Sequence, residues 1–454
     1  MDFQTRPTAS GWSVLKQSPY SYSPYRRVVA GQAFSLVGRW IANVAAGWLV
    51  MRLTDAAAGV GFLAVAMMIP GLVVAPFGGQ LIDRVHLRLV ATFVWGLVAV
   101  PSVILGTLSH YGRITPVVVY AMAALASIPT VIASSFASRL LTASVPDELE
   151  RDSITKSSIP NSVARTVGAI LGGALIGWVG IAITFWVVAV TAIGTGVIYA
   201  TLPRAVWDRS REHIREDSAE DDAGEEGLRE HSRSREDDGA IGDAEDPSAA
   251  QGSPAADAAR PKVRQALEVP MVRIALYSAI LFWLLVTPLQ RLAAAVASAH
   301  NESANSVGAL GAAAGLGAII ANPALRRMID RGARAVRLMG SAVLIGGLAL
   351  MACSIIGNFW YDIATFAVIG AAFELSSTTS QASLQRNTPT GASGRVNSIV
   401  VSASTGAAAV GAMVMSWLMD GIGLRWAIGI FGAIAISVGL HHALRTARLA
   451  DQEI

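Results

Sequence analysis

The chain has 454 residues, of which 53% are hydrophobic and 15% charged, where soluble domains carry roughly a quarter charged residues. That balance argues against a soluble globular enzyme, and a formal net charge of +3 spread away from any basic run argues against a nucleic-acid binder. A single cysteine, Cys353, leaves no disulfide possible within the chain and reads as a small apolar filler.

In chain order, a tail at 1–27 precedes twelve apolar runs of about membrane-spanning length. Six make an N-terminal half, 28–203, with runs at about 28–51, 57–79, 89–109, 116–138, 162–179 and 181–202, the last two separated by a Gly180 turn. The first run is too long for a signal peptide, follows Arg26-Arg27 and lacks a small-x-small exit, so it is expected to stay as the first helix. Residues 204–269 then change character. Between Arg204 and Arg273 lie eighteen acidic and eleven basic residues, with runs such as Glu216-Asp217-Ser218-Ala219-Glu220-Asp221-Asp222. Such a segment buries too little apolar surface to fold, and it is expected to be a disordered acidic linker. Six further runs, at about 271–297, 305–325, 338–357, 361–382, 397–418 and 424–443, make a C-terminal half, 270–443, followed by a tail at 444–454.

Basic residues set the expected orientation. Arg26, Arg27, Arg84, Arg88, Arg139, Arg331, Arg334, Arg395 and Arg445 fall in connections on the side of both termini, whereas the opposite connections carry only Arg52, Arg113 and Arg425. The positive-inside rule therefore puts both termini, and the linker, in the cytoplasm of a cell-membrane protein. Asn301-Glu302-Ser303 is a sequon on the outer side, but the Arg-rich, Ala-rich composition looks bacterial and glycosylation is not expected. No lysine follows a glycine in a phosphate-cradling loop, and no His-Glu-x-x-His or Cys-rich ligand set exists, so ATP hydrolysis and metal catalysis are not expected.

The chain repeats itself. Ala75-Pro76 running to Leu81-Ile82-Asp83-Arg84 reappears 247 positions later as Asn322-Pro323 running to Met328-Ile329-Asp330-Arg331, and Val60-Gly61-x-Leu63 falls on Val307-Gly308-x-Leu310. A duplicated six-helix half is the ground plan of many secondary transporters. Gly79-x-x-x-Asp83-Arg84-x-x-x-Arg88 further resembles the signature loop of the major facilitator superfamily, although this chain has His86 and Leu89 where the pattern has a glycine and a second base. Gly31-Gln32-x-x-Ser35-Leu36-x-Gly38-x-Trp40, with Leu384-Gln385-x-x-x-Pro389 and Gly394-Arg395-Val396, looks like the branch of enterobactin exporters and macrolide or multidrug efflux proteins. The resemblance implies an all-α membrane protein of twelve helices in two pseudo-repeats. It implies that helices 1, 4, 7 and 10 line a central cavity, and that Gly79, Asp83, Arg84, Arg88, Arg139 and the second copy's Asp330 and Arg331 gate it, with Asp83 reaching Arg139 or Arg84 near Asn397.

Polar stripes support the cavity independently. Gln32, Ser35, Arg39 and Asn43 lie at helical spacing beside Trp40; Ser127, Thr130 and Ser134 lie on the fourth run, Thr287 and Arg291 on the seventh, and Glu374, Ser377 and Gln381 on the tenth. Within a bilayer such stripes must face protein or water. Arg39 and Glu374 lie nearest mid-span, where a charge costs at least ~2.5 kcal/mol, so they are expected to form a charge pair or a proton-coupling site. Arg165, near the inner end of the fifth run, is expected to snorkel. Glycine and alanine ladders in runs 5, 8 and 11 suit helices that slide against each other.

The expectation is a secondary transporter, not an enzyme. It would work as a monomer by alternating access, exporting a small amphipathic drug-like or siderophore-like molecule in exchange for protons, with no cofactor and no metal. The alternatives are transport in the uptake direction and a non-transporting receptor or scaffold that keeps the fold.

Overall fold

A computed structural model describes residues 18–83, 87–212, 269–330, 335–387 and 393–452. Every described element is helical, as a bilayer interior requires of segments that must satisfy their own N–H and C=O groups. The helices are α1 (Ser23–Thr54), α2 (Ala57–Asp83), α3 (Leu87–His110) and α4 (Pro116–Ala143). Glu150–Ala200 follows as one continuous stretch that breaks at Gly180, where φ of 85° and ψ of 168° suit only glycine; this divides it into α5 (150–179) and α6 (181–200). Three pieces, Pro270–Leu285, Pro288–Arg291 and Ala293–Ala299, make α7, which is interrupted at Thr287-Pro288 where proline lacks the N–H to continue the ladder. Then come α8 (Ala304–Asp330), α9 (Ala335–Ile356), α10 (Phe359–Asn387), α11 (Ser393–Ile422) and α12 (Leu424–Gln452).

The twelve helices are the fold expected from the sequence. The repeat is visible in them: α2 and α8 each have 27 residues, and both begin and end 247 positions apart. The boundaries differ from the apolar runs in an informative way. Helix α5 starts at Glu150, twelve residues before its apolar run, because its first three turns carry Lys156, Ser157 and Asn161. The linker boundary also moves. Residues 204–212 are helical, with Val206 and Trp207 buried and Arg209 Nη1 donating to Val145 O at 2.9 Å, so the start of the linker is part of the N-terminal half. The remainder of the linker, 213–268, lies outside the described residues.

Twelve helices running alternately up and down bring both ends of the bundle to one face, the terminal face; the α1–α2 and α7–α8 turns lie on the far face. Trp178, Trp360 and Trp426, 73–79% exposed, ring the far ends of α5, α10 and α12, as aromatic residues do at a bilayer interface. The buried apolar residues divide by depth. Toward the far face one cluster draws on both halves, from Val44, Leu49 and Phe185 to Phe282, Leu310 and Phe366. Toward the terminal face the described residues form two clusters, one around Tyr25, Trp95, Leu140 and Tyr199 and another around Val272, Met339, Leu384 and Val396, each confined to its own half.

Contacts between the halves close the far side, two of them at helix crossings. At the α5–α8 crossing a Cβ on Gly173 would stand 2.8 Å from Ala304 O and 2.9 Å from Gly308 Cα, so only glycine permits this backbone approach. At the α2–α11 crossing Asp420, near the end of α11, accepts from the backbone N–H of Ala57 through Oδ1 and of Ala58 through Oδ2, both at 2.8 Å. A carboxylate from one half thereby caps the orphan amides that open α2 in the other.

Candidate functional site

The seam between the halves carries one charge from each. Glu374, half-buried on α10, accepts at Oε1 from Asn322 Nδ2 of α8 at 2.6 Å and from Thr378 Oγ1 at 3.3 Å. From α5 in the other half comes Arg165, whose guanidinium lies 5.3 Å over the Phe373 ring and interacts electrostatically with Glu374. Arg165, Trp40, Phe373 and Gln290 border a void of about 30 Å³, room for a water molecule. The Arg165 Nε atom is buried with no hydrogen-bond partner among the described residues. The expectation that Arg165 snorkels is therefore corrected. Because α5 begins at Glu150, Arg165 lies about four turns in rather than near an end, and the glycine crossing of α5 with α8 turns it toward α10.

Arg39 and Glu374, expected as a pair, occupy different places. Arg39 interacts with Tyr199 of α6 and is open to a second cavity, of about 310 Å³, within the terminal side of the N-terminal half. Gln32, Ser35, Thr130, Ser157 and Asn161 share that cavity with it, and Trp95 forms part of its wall. Residues of the polar stripes on helices 1 and 4 line this cavity together. Trp95, Ser157 and Asn161 were missed, the last two because they lie in the polar turns of α5 that no apolar run marks. Gln32 Nε2 donates to Ala137 O of α4 at 2.9 Å, leaving its Oε1 buried without a hydrogen-bond partner among the described residues. Ser35 and Thr130 donate within their own helices, to Gln32 O at 2.8 Å and Ala126 O at 2.7 Å.

The other expected cavity residues are scattered. Trp40 borders the seam void, and Asn43 is half-buried one turn beyond Arg39. Ser127 is half-buried and donates to Ala124 O, while Thr287 is buried and donates to Trp283 O; both hydroxyls are occupied inside their own helices. Arg291 is exposed on the short middle piece of α7. Ser377 accepts from exposed Gln381 Nε2 at 3.5 Å, one turn beyond Glu374. The side chains of Ser134, Gly79, Asp83, Arg88, Asp330 and Asn397, and all of Arg84 and Arg331, lie outside the described residues, so the expected contact of Asp83 does too. Arg139 is half-buried on α4 with Nη1 unbonded among the described residues.

A third cluster had no sequence signal. On the far side of the C-terminal half, buried Asp362 lies 2.8 Å from His300 Nε2 through Oδ2 and accepts from Cys353 Sγ at 3.0 Å through Oδ1. Cys353, read as apolar filler, is a donor to an acid that ties α9 and α10 to the end of α7.

The comparisons with known proteins agree with this architecture. Residues 13–237 match the family described as Transmembrane secretion effector, and residues 274–451 match the Major Facilitator Superfamily, so each half is matched separately. No curated protein matches the chain. Among solved structures, a POT family transporter in complex with 5-aminolevulinic acid superposes with a TM-score of 0.69 at 9% identity, covering 94% of this chain and 96% of that one. Another, a POT family transporter in complex with a thioalcohol-conjugated peptide, gives 0.65 at 10% identity, with 93% and 96% covered. A bacterial homolog of the human lysosomal transporter Spinster, in an inward-facing and unoccupied conformation, gives 0.63 at 12% identity, again with 93% and 96% covered. Such identities establish the shared fold, and the two family matches, one on each six-helix half, place the chain in the major facilitator superfamily of secondary transporters.

Proposed function

We propose that the protein is a proton-coupled exporter of a small amphipathic molecule, working as a monomer in the cell membrane with both termini in the cytoplasm. The observation that carries the coupling is Glu374, an acid in the depth of a spanning helix that answers to charge from the opposite half. A residue of this kind persists in a membrane for a purpose. Ionised, it attracts Arg165 and holds α10 to α5; protonated, it loses that attraction and the seam is free to part. Alternating access follows when proton entry and cargo binding are exclusive across the same seam.

The far-side closure supports a cytoplasm-facing state. Asp420 of α11, which caps the start of α2, and the α5–α8 glycine crossing join the halves on the far side, while the described apolar clusters of the terminal side stay separate. The Arg39 cavity lies on that terminal side, as loading from the cytoplasm requires. Basic connections on the terminal side support the orientation.

Proteoliposomes with an imposed pH gradient and a panel of amphipathic fluorescent dyes test the reading. Glu374→Gln keeps the size and hydrogen bonding of the side chain but cannot titrate. It is expected to lower gradient-driven flux at least tenfold while dye exchange without a gradient persists. Gradient-driven flux intact in Glu374→Gln sinks the assignment of Glu374 as the proton site.

A further inference from the structure

We infer that the Arg39 cavity is a binding site for an amphipathic monoanion, with the carboxylate of the cargo held by the guanidinium and its apolar body against the helix α1 and α4 walls; the inference deepens the transport reading above and rests on it. The cavity's about 310 Å³ is at the lower end of the volumes that enclose a small organic molecule. Among the described residues, Arg39 is the only charged residue that lines it. Among the described residues no carboxylate pairs with Arg39, and its one electrostatic neighbour is the Tyr199 hydroxyl, which itself has no hydrogen-bond partner there. A guanidinium in the depth of a bilayer protein with no acid beside it among the described residues leaves a positive site that an anionic ligand can neutralise.

The chemistry of the wall narrows the ligand. Arginine offers a planar fork that matches a carboxylate through two parallel hydrogen bonds. The Asn161 amide adds a neutral polar group, and Leu36, Ala133 and Leu141 provide an apolar surface for an aliphatic or aryl body beside Trp95. A cation is repelled by Arg39. A phosphate ester, dianionic near neutrality, would bring a second negative charge that no other base among the described lining residues meets, so a carboxylate is preferred over a phosphate within the same anion chemistry.

Equilibrium binding to the purified full-length protein in nanodiscs, with no gradient imposed, tests this independently of coupling. The probes are 4-phenylbutyrate, its neutral amide 4-phenylbutyramide, the cation 4-phenylbutylamine, and phenyl phosphate, titrated by calorimetry. The carboxylate is expected to bind at least tenfold more tightly than the amide, about 1.4 kcal/mol, with phenyl phosphate weaker than the carboxylate and the amine weakest. Arg39→Gln is expected to abolish the preference for the carboxylate, and Arg39→Lys to retain it in part because charge survives without the fork. The wild-type ranking of the four probes stands even if a variant folds poorly. Equal affinity for carboxylate and amide, no saturable carboxylate binding up to ~10 mM, which corresponds to about 2.7 kcal/mol of binding, or an unchanged preference in Arg39→Gln overturns the inference. Tighter phenyl phosphate binding overturns the choice of carboxylate. Carboxylate preference that survives in Glu374→Gln, alongside gradient-driven flux that also survives there, would keep this site while removing the proton-coupling reading.

Discussion

The electrostatic coupling of Arg165 to Glu374 across the seam shows how much of a membrane site depends on a single residue's depth. Glu374 was visible in the sequence because an acid in the middle of an apolar run stands out. Arg165 was not, because it appeared to sit at the run's edge. Its true depth follows from the polar turns of α5 that precede the run. If the two charges act as a unit, removing one leaves the other uncompensated, and removing both costs less than the sum. Arg165→Gln is therefore expected to slow exchange at least tenfold and to lower the melting temperature. The double variant Arg165→Gln with Glu374→Gln should melt no lower than either single variant, with a coupling energy on the order of 0.5–3 kcal/mol. Strict additivity in that cycle, measured by thermal unfolding in detergent, would mean the two charges do not sense each other.

At the level of helices, the closed far side is held by a carboxylate acting on a helix end rather than on a base. Asp420 meets the Ala57 and Ala58 amides where four N–H groups have no partner within α2, and the partial positive charge of the helix N-terminus adds to the hydrogen bonds. The short α1–α2 turn makes this possible. Asp55, with φ of 51°, closes α1 through its N–H to Met51 O and lets α2 begin two residues later, with its amides facing α11. Replacing a capping side chain by alanine costs about 0.5–2 kcal/mol, which shifts a two-state equilibrium roughly 2- to 30-fold. Asp420→Ala is thus expected to move the population toward a far-side-open state. Spin labels at the far ends of α2 and α11 should then show a longer-distance population in pulsed resonance measurements. An unchanged distance distribution would show that the glycine crossing of α5 with α8 holds the far side shut alone.

For the whole molecule, sequence patterning exposed whatever is regular along the chain. The twelve helices, the 247-residue repeat and the polar stripes of helices 1 and 4 all follow from periodicity and composition. What stayed hidden depends on wet helix ends and on contacts between halves. Ser157 and Asn161 line a cavity, so the turns that hold them are polar and look like a connection; Asn322, embedded in the repeat, gave no sign that it would bind Glu374. The linker's first residues were hidden for the same reason. Acidic and basic side chains around Trp207 mask a short helix that buries Val206, Trp207 and Ser210 against the N-terminal half. A tether that only joins two halves tolerates shortening, since loop closure depends weakly on length. Deleting 213–259 should leave flux within about twofold of the intact chain, because the closure cost of a tether changes only logarithmically with its length and enters every state of the transport cycle alike. Trp207→Ala removes a large buried aromatic and should destabilise by about 3–5 kcal/mol if the site cannot relax. The two variants, assayed side by side for melting temperature and dye flux, separate a packed anchor from a passive tether. A deletion that silences transport while membrane insertion stays normal would assign regulation to the acidic segment, and a silent Trp207→Ala would return residues 204–212 to the linker.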